Sequence, residues 1–205
     1  MINTREELIA KQEEYKASLN SQRKQILICA GTGCVAGGSL EIYDRLKQII
    51  EEKGLRCALL LEKEPHGDSI GLKKSGCHGF CEMGPLLRIE PMGWLYLKVK
   101  LEDCEEIVEK SIINDEVVDH LVYKDKSLKS YVKQEEIPFY KQQTRVALEY
   151  CGRINAESIA EYLALRGYSA VAKALFDMTP QQIVDEVSEA SLRGRGGGGF
   201  PAGRK

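Results

Sequence analysis

Residues 25–54 read QILICAGTGCVAGGSLEIYDRLKQIIEEKG. The stretch decides the fold because it changes hydrophobic period partway along. Gln25–Cys29 is a short apolar run, the pattern of a strand buried on both faces. AGTGCVAGG is a glycine-rich loop. From Ser39 the pattern becomes helical, with Leu40, Tyr43, Leu46 and Ile50 on one face. Ser39 is the expected N-cap, and Gly54 the residue that ends the helix. RCALLL, Arg56–Leu61, then reads as a second buried strand. Strand, helix and strand in this order predict a right-handed unit with the two strands parallel.

The pattern extends in both directions. TREE, Thr4–Glu7, is a capping box that starts a charged helix running to about Leu19. This helix is expected either to lie on its own domain or to serve as a docking arm. A short helix is expected over Asp68–Lys73, followed by a second glycine-rich loop, SGCHGFCEMGP. LLRIE and WLYLKV are two strands joined at Pro91-Met92-Gly93, hence a hairpin. Asp103 to about Ile113 reads as a closing helix. The outline is an α/β sandwich of thioredoxin-like type over 1–121. Residues 122–144 turn polar and read as a linker. In 145–205, Asn155 is expected to cap a helix ending near Gly167, and Ser169 to start another. Thr179-Pro180-Gln181-Gln182 combines an N-cap, Pro at N1 and Gln at N3, so a third helix starts there.

Composition narrows the function. The 205 residues carry 29 Lys and Arg against 31 Asp and Glu, which leaves no basic footprint for nucleic acid. The charged opening lacks the apolar core of a secretory signal. No apolar run is long enough to span a membrane. A cytoplasmic protein is expected. Its seven cysteines, an odd number without a signal peptide, argue against a disulfide framework and for metal or redox chemistry.

Four of the cysteines form two spaced pairs, Cys29-x4-Cys34 and Cys77-x3-Cys81, each in a glycine-rich loop. The topology above places both loops at one end of the sheet. A [2Fe–2S] core takes four thiolates, and hydrogen bonds to its sulfurs help set its potential. Gly31, Gly33, Gly76 and Gly79 let backbone N–H groups come close. The helix start after Cys34 and Lys73 and Lys74 before Cys77 add positive ends. Three rivals stand beside this reading. A structural zinc site also uses four thiolates, though usually at shorter spacing. A dithiol oxidoreductase needs C-x-x-C, which neither pair has. Simple buried cysteines are the third, and Cys57, Cys104 and Cys151 fit that description. His78 is expected to sit behind the ligands or to face solvent, since a Rieske centre would need two histidines.

CAGTGC together with SGCHGFCEMGP resembles the thioredoxin-like [2Fe–2S] ferredoxin domain, which pairs the same two spacings. The resemblance covers about Gln25 to Ile113. It implies that Cys29, Cys34, Cys77 and Cys81 are the four cluster ligands.

The chain closes on SLRGRGGGGFPAGRK (191–205). Gly194, Gly196 and Gly199 satisfy G-x-G-x-x-G, but the loop follows a helix, not the strand a dinucleotide fold requires. Its consecutive N–H groups and Arg193, Arg195, Arg204 and Lys205 suit an anion, and Phe200 offers a ring face. A floppy basic tail is the competing reading. Residues 145–205 resemble the opening of the NADH-binding flavoprotein subunit of respiratory complex I and its relatives. That resemblance implies that Gly194, Arg195, Gly196, Gly197, Gly199, Phe200 and Lys205 belong to an FMN and NAD(H) loop. With the cluster domain in front, the layout is similar to the flavoprotein subunit of NAD-dependent or electron-bifurcating [FeFe] hydrogenases. It implies an N-terminal part of a longer subunit, 145–205 being the helical start of a flavoprotein domain. It further implies an electron-transfer role within a larger NAD(P)H-dependent oxidoreductase, beside other iron–sulfur subunits. The rival from another class is a zinc-stabilised docking module.

Overall fold

The computed structural model describes residues 2–61 and 69–205. Its centre is strand β1 (Lys24–Cys29), in which Ile26, Leu27, Ile28 and Cys29 are all buried. β2 (Cys57–Ala58), β3 (Ile70–Ser75), β4 (Leu87–Glu90) and β5 (Trp94–Tyr96) complete a sheet of order β2-β3-β1-β4-β5. β1, β2 and β3 run parallel; β4 and β5 add antiparallel. This is the α/β, thioredoxin-like arrangement expected, with a parallel half and a hairpin half.

Two expectations inside the sheet need correction. Ile70–Ser75 is a strand beside β1, where a helix over Asp68–Lys73 was expected; Asp68 lies outside the described residues. IGLKKS has Ile70 and Leu72 facing one way and Gly71 and Lys73 the other, which is strand alternation. The buried Lys73 disguised it. Arg56–Leu61 contributes only Cys57–Ala58, an edge strand paired to β3. The first loop also contains a short helix, α2 (Thr32–Ala36).

One face of the sheet carries Ile26, Ile28, Leu72, Leu87, Ile89 and Tyr96. Against it packs α3 (Ser39–Glu52), through Ile42, Tyr43, Leu46, Ile49 and Ile50. Gly38, at φ +89°, occupies the N-cap position instead of Ser39. Gly54, at φ +68°, ends the helix as expected, with the Leu55 N–H on the Ile50 carbonyl. Beside α3 lies α4 (Cys104–Glu106), which follows a 3₁₀ turn (Leu101–Asp103) and continues as a π-helix (Ile107–Ile113). Lys24 Nζ donates to the Ser111 and Ile112 carbonyls at that helix end, at 2.9 and 2.7 Å, and pairs with Asp115. A cation is favourable there because the last carbonyls lack helical partners.

The opposite face carries charge. Lys73 is 1% and Arg88 5% exposed, and buried ions must be paired. Some partners lie in the sheet itself, Glu90 for Arg88 and Gln25 for Lys73, and the others come from beyond residue 122. Arg88 donates to Glu90 at 2.7 Å, Gln134 at 2.6 Å and Glu135 at 2.8 Å. Lys73 Nζ lies 2.8 Å from Glu161 Oε1, whose residue is fully buried in α6 (Ile159–Ala164). Residues 122–144, expected as a linker, therefore have a structural role. They hold a small hairpin of β6 (Tyr123–Lys124) and β7 (Ser130–Tyr131), and helix α5 (Pro138–Lys141). Ile137 and Tyr140 are buried among Leu86, Leu95 and Leu97.

The N-terminal helix α1 (Arg5–Ser21) has the expected Thr4 cap on the Glu7 N–H. It packs on the C-terminal segments: Leu8 meets Leu163 and Ala172, and Gln12 donates to the Gly167 carbonyl at 2.8 Å. Arg5 pairs with Asp177 at the end of α7 (Ser169–Asp177). Ser158, not Asn155, caps α6. Asn155 accepts from the Glu157 N–H and its own N–H donates to Glu161. The Thr179 capping box opens α8 (Pro180–Glu189) as expected.

The Lys73–Glu161 pair makes the attachment of α6 to the sheet measurable. Lys73→Met should cost about 3–5 kcal/mol by leaving a buried carboxylate alone. Lys73→Met with Glu161→Leu should recover most of it. Urea unfolding midpoints of the three proteins test this.

Candidate metal centre

The register of β1 against β3 places Cys29 opposite Ser75. The Cys29 N–H donates to the Leu86 carbonyl, and the Ala30 N–H to the Ser75 carbonyl, each at 3.0 Å. Both cysteine loops therefore leave the same end of the sheet. The first turns into α2, which carries Cys34 inward. The second passes Cys77 and reaches Cys81 at the start of a 3₁₀ turn (Cys81–Met83).

The glycines make this approach possible. A Cβ on Gly31 would lie 3.1 Å from Cys77 Cβ and 3.3 Å from its Sγ, so the two loops touch there. A Cβ on Gly33 would lie 3.9 Å from Cys81 Sγ, and one on Gly84 only 2.7 Å from Cys34 Sγ. Gly79, at φ +87°, turns its N–H to donate to Cys77 Sγ at 3.3 Å. Cys29 and Cys34 are 1% exposed, whereas Cys77 and Cys81 are exposed.

The four thiols interact in pairs. Burial, then the bond and charge of Cys29, pushes the Cys34 thiol up to about 12; Cys81 contributes as well. Cys77 raises Cys81, first by its charge and then by a hydrogen bond, and Cys29 adds to it. Thiolates so close repel one another without a cation between them. Among the described residues, no three His, Cys, Asp or Glu side chains form a group for one metal ion. Four thiols in two donor pairs are the set a two-iron core takes, two thiolates to each iron. The glycine contacts, a sulfur-directed N–H and four thiols with no disulfide fit such a group.

Several surrounding groups were not legible as part of the site. His78 is fully buried, so it does not face solvent. Ser75 Oγ donates to the Ile28 carbonyl at 3.0 Å and lies 2.7 Å from His78 Nε2. With its own proton so committed, Ser75 accepts from Nε2–H. Burial, with Arg88 and Arg145 nearby, lowers His78 to about 3, so the ring is neutral. The His78 carbonyl accepts from Arg145 at 2.9 Å. Phe80, inside the second loop, stacks on Phe139 with centroids 4.5 Å apart and meets Tyr140 edge-on at 5.7 Å. Arg145 lies 5.1 Å from the Tyr140 ring. Burial pushes the Tyr140 phenol up; Arg145 opposes, and Cys29 and Cys77 add to it. The signal for these was IPFY, an aromatic group within a polar stretch.

The positive charges expected beside Cys77 are otherwise engaged: Lys73 in its ion pair, Lys74 4.9 Å from the Tyr43 ring. Cys104 is buried, while Cys57 and Cys151 are half-buried. The terminal glycines form a separate, exposed loop. It closes through Gly194 N–H on the Phe200 carbonyl, 2.9 Å, and Ala202 N–H on the Leu192 carbonyl, 2.8 Å. Gly197 and Gly199 have φ of +103° and +57°, and nothing lies within 4 Å of a Cβ at Gly196 to Gly199. Arg195, Phe200 and Lys205 are exposed on it.

No family model matches the chain. It is 55% identical over 65 residues to the NADP-reducing hydrogenase subunit HndC of Solidesulfovibrio fructosivorans, 32% of this chain and 13% of that protein. To an NADH-quinone oxidoreductase subunit of Aquifex aeolicus (strain VF5) it is 56% identical over 48 residues, 23% of this chain and 11% of that one. The chain thus spans only a small fraction of those two proteins. The thioredoxin-like [2Fe–2S] ferredoxin of Aquifex aeolicus superposes at a TM-score of 0.40 and 27% identity, over 50% of this chain and 97% of that one. No helix among the described residues is long and apolar enough to cross a membrane. The 2Fe-2S ferredoxin of Clostridium pasteurianum is 31% identical over 88 residues, 43% of this chain and 76% of that protein. By that match, the chain belongs to the [2Fe–2S] ferredoxin family.

Proposed function

We propose that Cys29, Cys34, Cys77 and Cys81 hold a [2Fe–2S] cluster. We propose that the chain serves electron transfer within an NAD(P)H-linked iron–sulfur flavoprotein complex of hydrogenase or NADH dehydrogenase type. The observation that carries this is the meeting of two cysteine pairs at one sheet end. The bound cluster supplies a one-electron carrier; the protein supplies position and electrostatics. Here β1 fixes Cys29, α2 turns Cys34 inward, and the Gly31–Cys77 contact sets the second loop against the first.

On this reading 1–121 carries the cluster and 145–205 contributes to the flavin-binding region, with 122–144 packed between them. Gly194, Arg195, Gly196, Gly197, Gly199, Phe200 and Lys205 serve FMN and NAD(H). What supports it is the open row of N–H groups, the exposed cations and the likeness to hydrogenase and NADH-quinone oxidoreductase relatives. Other iron–sulfur subunits of such complexes are the partners, and the cytoplasm the compartment.

Anaerobic reconstitution of the full chain tests the proposal. Iron and sulfide should bind in equal amounts, with a visible charge-transfer spectrum and an EPR signal after dithionite reduction. A colourless, EPR-silent protein holding stoichiometric zinc overturns it. Cys29→Ser should lose the cluster or change its spectrum, whereas Cys104→Ser should leave spectrum and EPR unchanged. Gly84→Ala places a methyl against Cys34 Sγ. It should lower cluster content severalfold while far-UV circular dichroism stays near that of the parent.

A further inference from the structure

Tyr140 is 7% exposed and packs in one shell with Cys29, Cys34, Leu86 and Ile137. Its hydroxyl has no hydrogen-bond partner among the described residues. The ring is fixed on several sides. Phe80 and Phe139 meet it edge-on at 5.7 and 5.2 Å, and the Arg145 guanidinium lies 5.1 Å from its centroid. A buried hydroxyl held this firmly is expected to have a partner.

The surroundings restrict what that partner is. Cys29 and Cys34 pack in the same cluster as Tyr140, and Arg88 and Arg145 line the cavity beside it. Guanidinium groups only donate, so neither arginine can take the phenolic proton. Sulfur can. Arg88 is moreover already engaged by Glu90, Gln134 and Glu135. Arg145 is engaged by Gln143 and the His78 carbonyl.

We infer that Tyr140 is a positioning and tuning residue of the metal centre, its hydroxyl donating a hydrogen bond to a sulfur of the bound cluster's coordination sphere. This rests on the [2Fe–2S] reading above. A donor to sulfur stabilises the more negative, reduced state, so it raises the reduction potential. The residue comes from the segment that covers the second cysteine loop, which ties that cover to the electronic properties of the site.

The test compares the reconstituted full chain with its Tyr140→Phe variant and with a protein carrying 3-fluorotyrosine at 140. Both changes keep the ring. Tyr140→Phe should bind as much cluster as the parent but with a lower potential. The expected change is up to about tenfold in the reduction equilibrium, or ~59 mV for one electron. Fluorotyrosine, a more acidic phenol and stronger donor, should shift the potential upward. It also serves if the phenylalanine variant does not fold. Equal potentials in all cluster-loaded proteins would overturn the inference and leave the hydroxyl to water in the cavity of about 400 Å³ lined by Arg88, Tyr140, Arg145 and Cys151. The [2Fe–2S] reading would then stand. A parent that takes up no cluster would overturn both, and its own spectrum distinguishes the two failures.

Discussion

The end of β1 is the constraint on which the rest depends. Cys29 is opposite Ser75 on one side and bonded to the Leu86 carbonyl on the other. A strand held by both neighbours cannot slip without turning its side chains to the wrong face. The two loops leaving this end are thereby fixed in relative position to within a residue. Cys77 follows Ser75 by two residues, and Leu86 follows Cys81 by five, so neither loop has much slack. Ser75 and His78 extend the same constraint, linking the second loop to the backbone of β1 one residue before Cys29.

The remaining chain answers a different problem. A sheet with an apolar face and a charged face must cover both. α3 and the 101–113 helical run cover the first by apolar packing. Lys73 and Arg88 make the second face costly to bury unless carboxylates arrive. Glu161 and Glu135 do so from α6 and from residues 134–136. Specific ion pairs thus help set where the C-terminal segments dock, beside the apolar packing of Ile137, Tyr140 and Leu163. The docked segments in turn receive α1, through Leu8, Gln12 and Arg5.

Legibility followed the range of the forces involved. Local signals were read correctly: the Thr4 and Thr179 caps, the Gly54 stop, the hairpin at Pro91-Met92-Gly93 and the helical face of α3. Some differences are local, as where Gly38 and not Ser39 caps α3; others fall where a distant partner decides. Lys73 obscured the alternation of β3 because its partner is 88 residues away, and a lysine in a central strand makes no sense without it. Asn155 was a reasonable cap, but Glu161 accepts its N–H and Ser158 takes the cap instead. The polar stretch 122–144 resembled a linker because Ile137 and Tyr140 are few among charged neighbours. At the candidate site, spacing singled out four cysteines, which lie on two short loops leaving one end of the sheet. Spacing could not identify Tyr140 or Arg145, whose approach depends on how residues 134–153 fold back.

That fold-back gives the candidate metal centre two unlike sides. Cys29 and Cys34 lie in the interior, where a low dielectric opposes added negative charge. Cys77 and Cys81 are exposed, in the loop whose Phe80 stacks on Phe139. For a cluster held as proposed, burial on one side alone would make reduction costly, so the interior side would need compensating donors and cations near the sulfurs. Arg88 and Arg145 line the cavity beside Tyr140, and neither guanidinium can accept its proton. The neutral His78 ring keeps a further positive charge out of the same space. On the proposed reading the balance on the buried side rests on a few groups contributed by residues 134–153, and the Arg88 network ties Gln134 and Glu135 of that segment to the sheet.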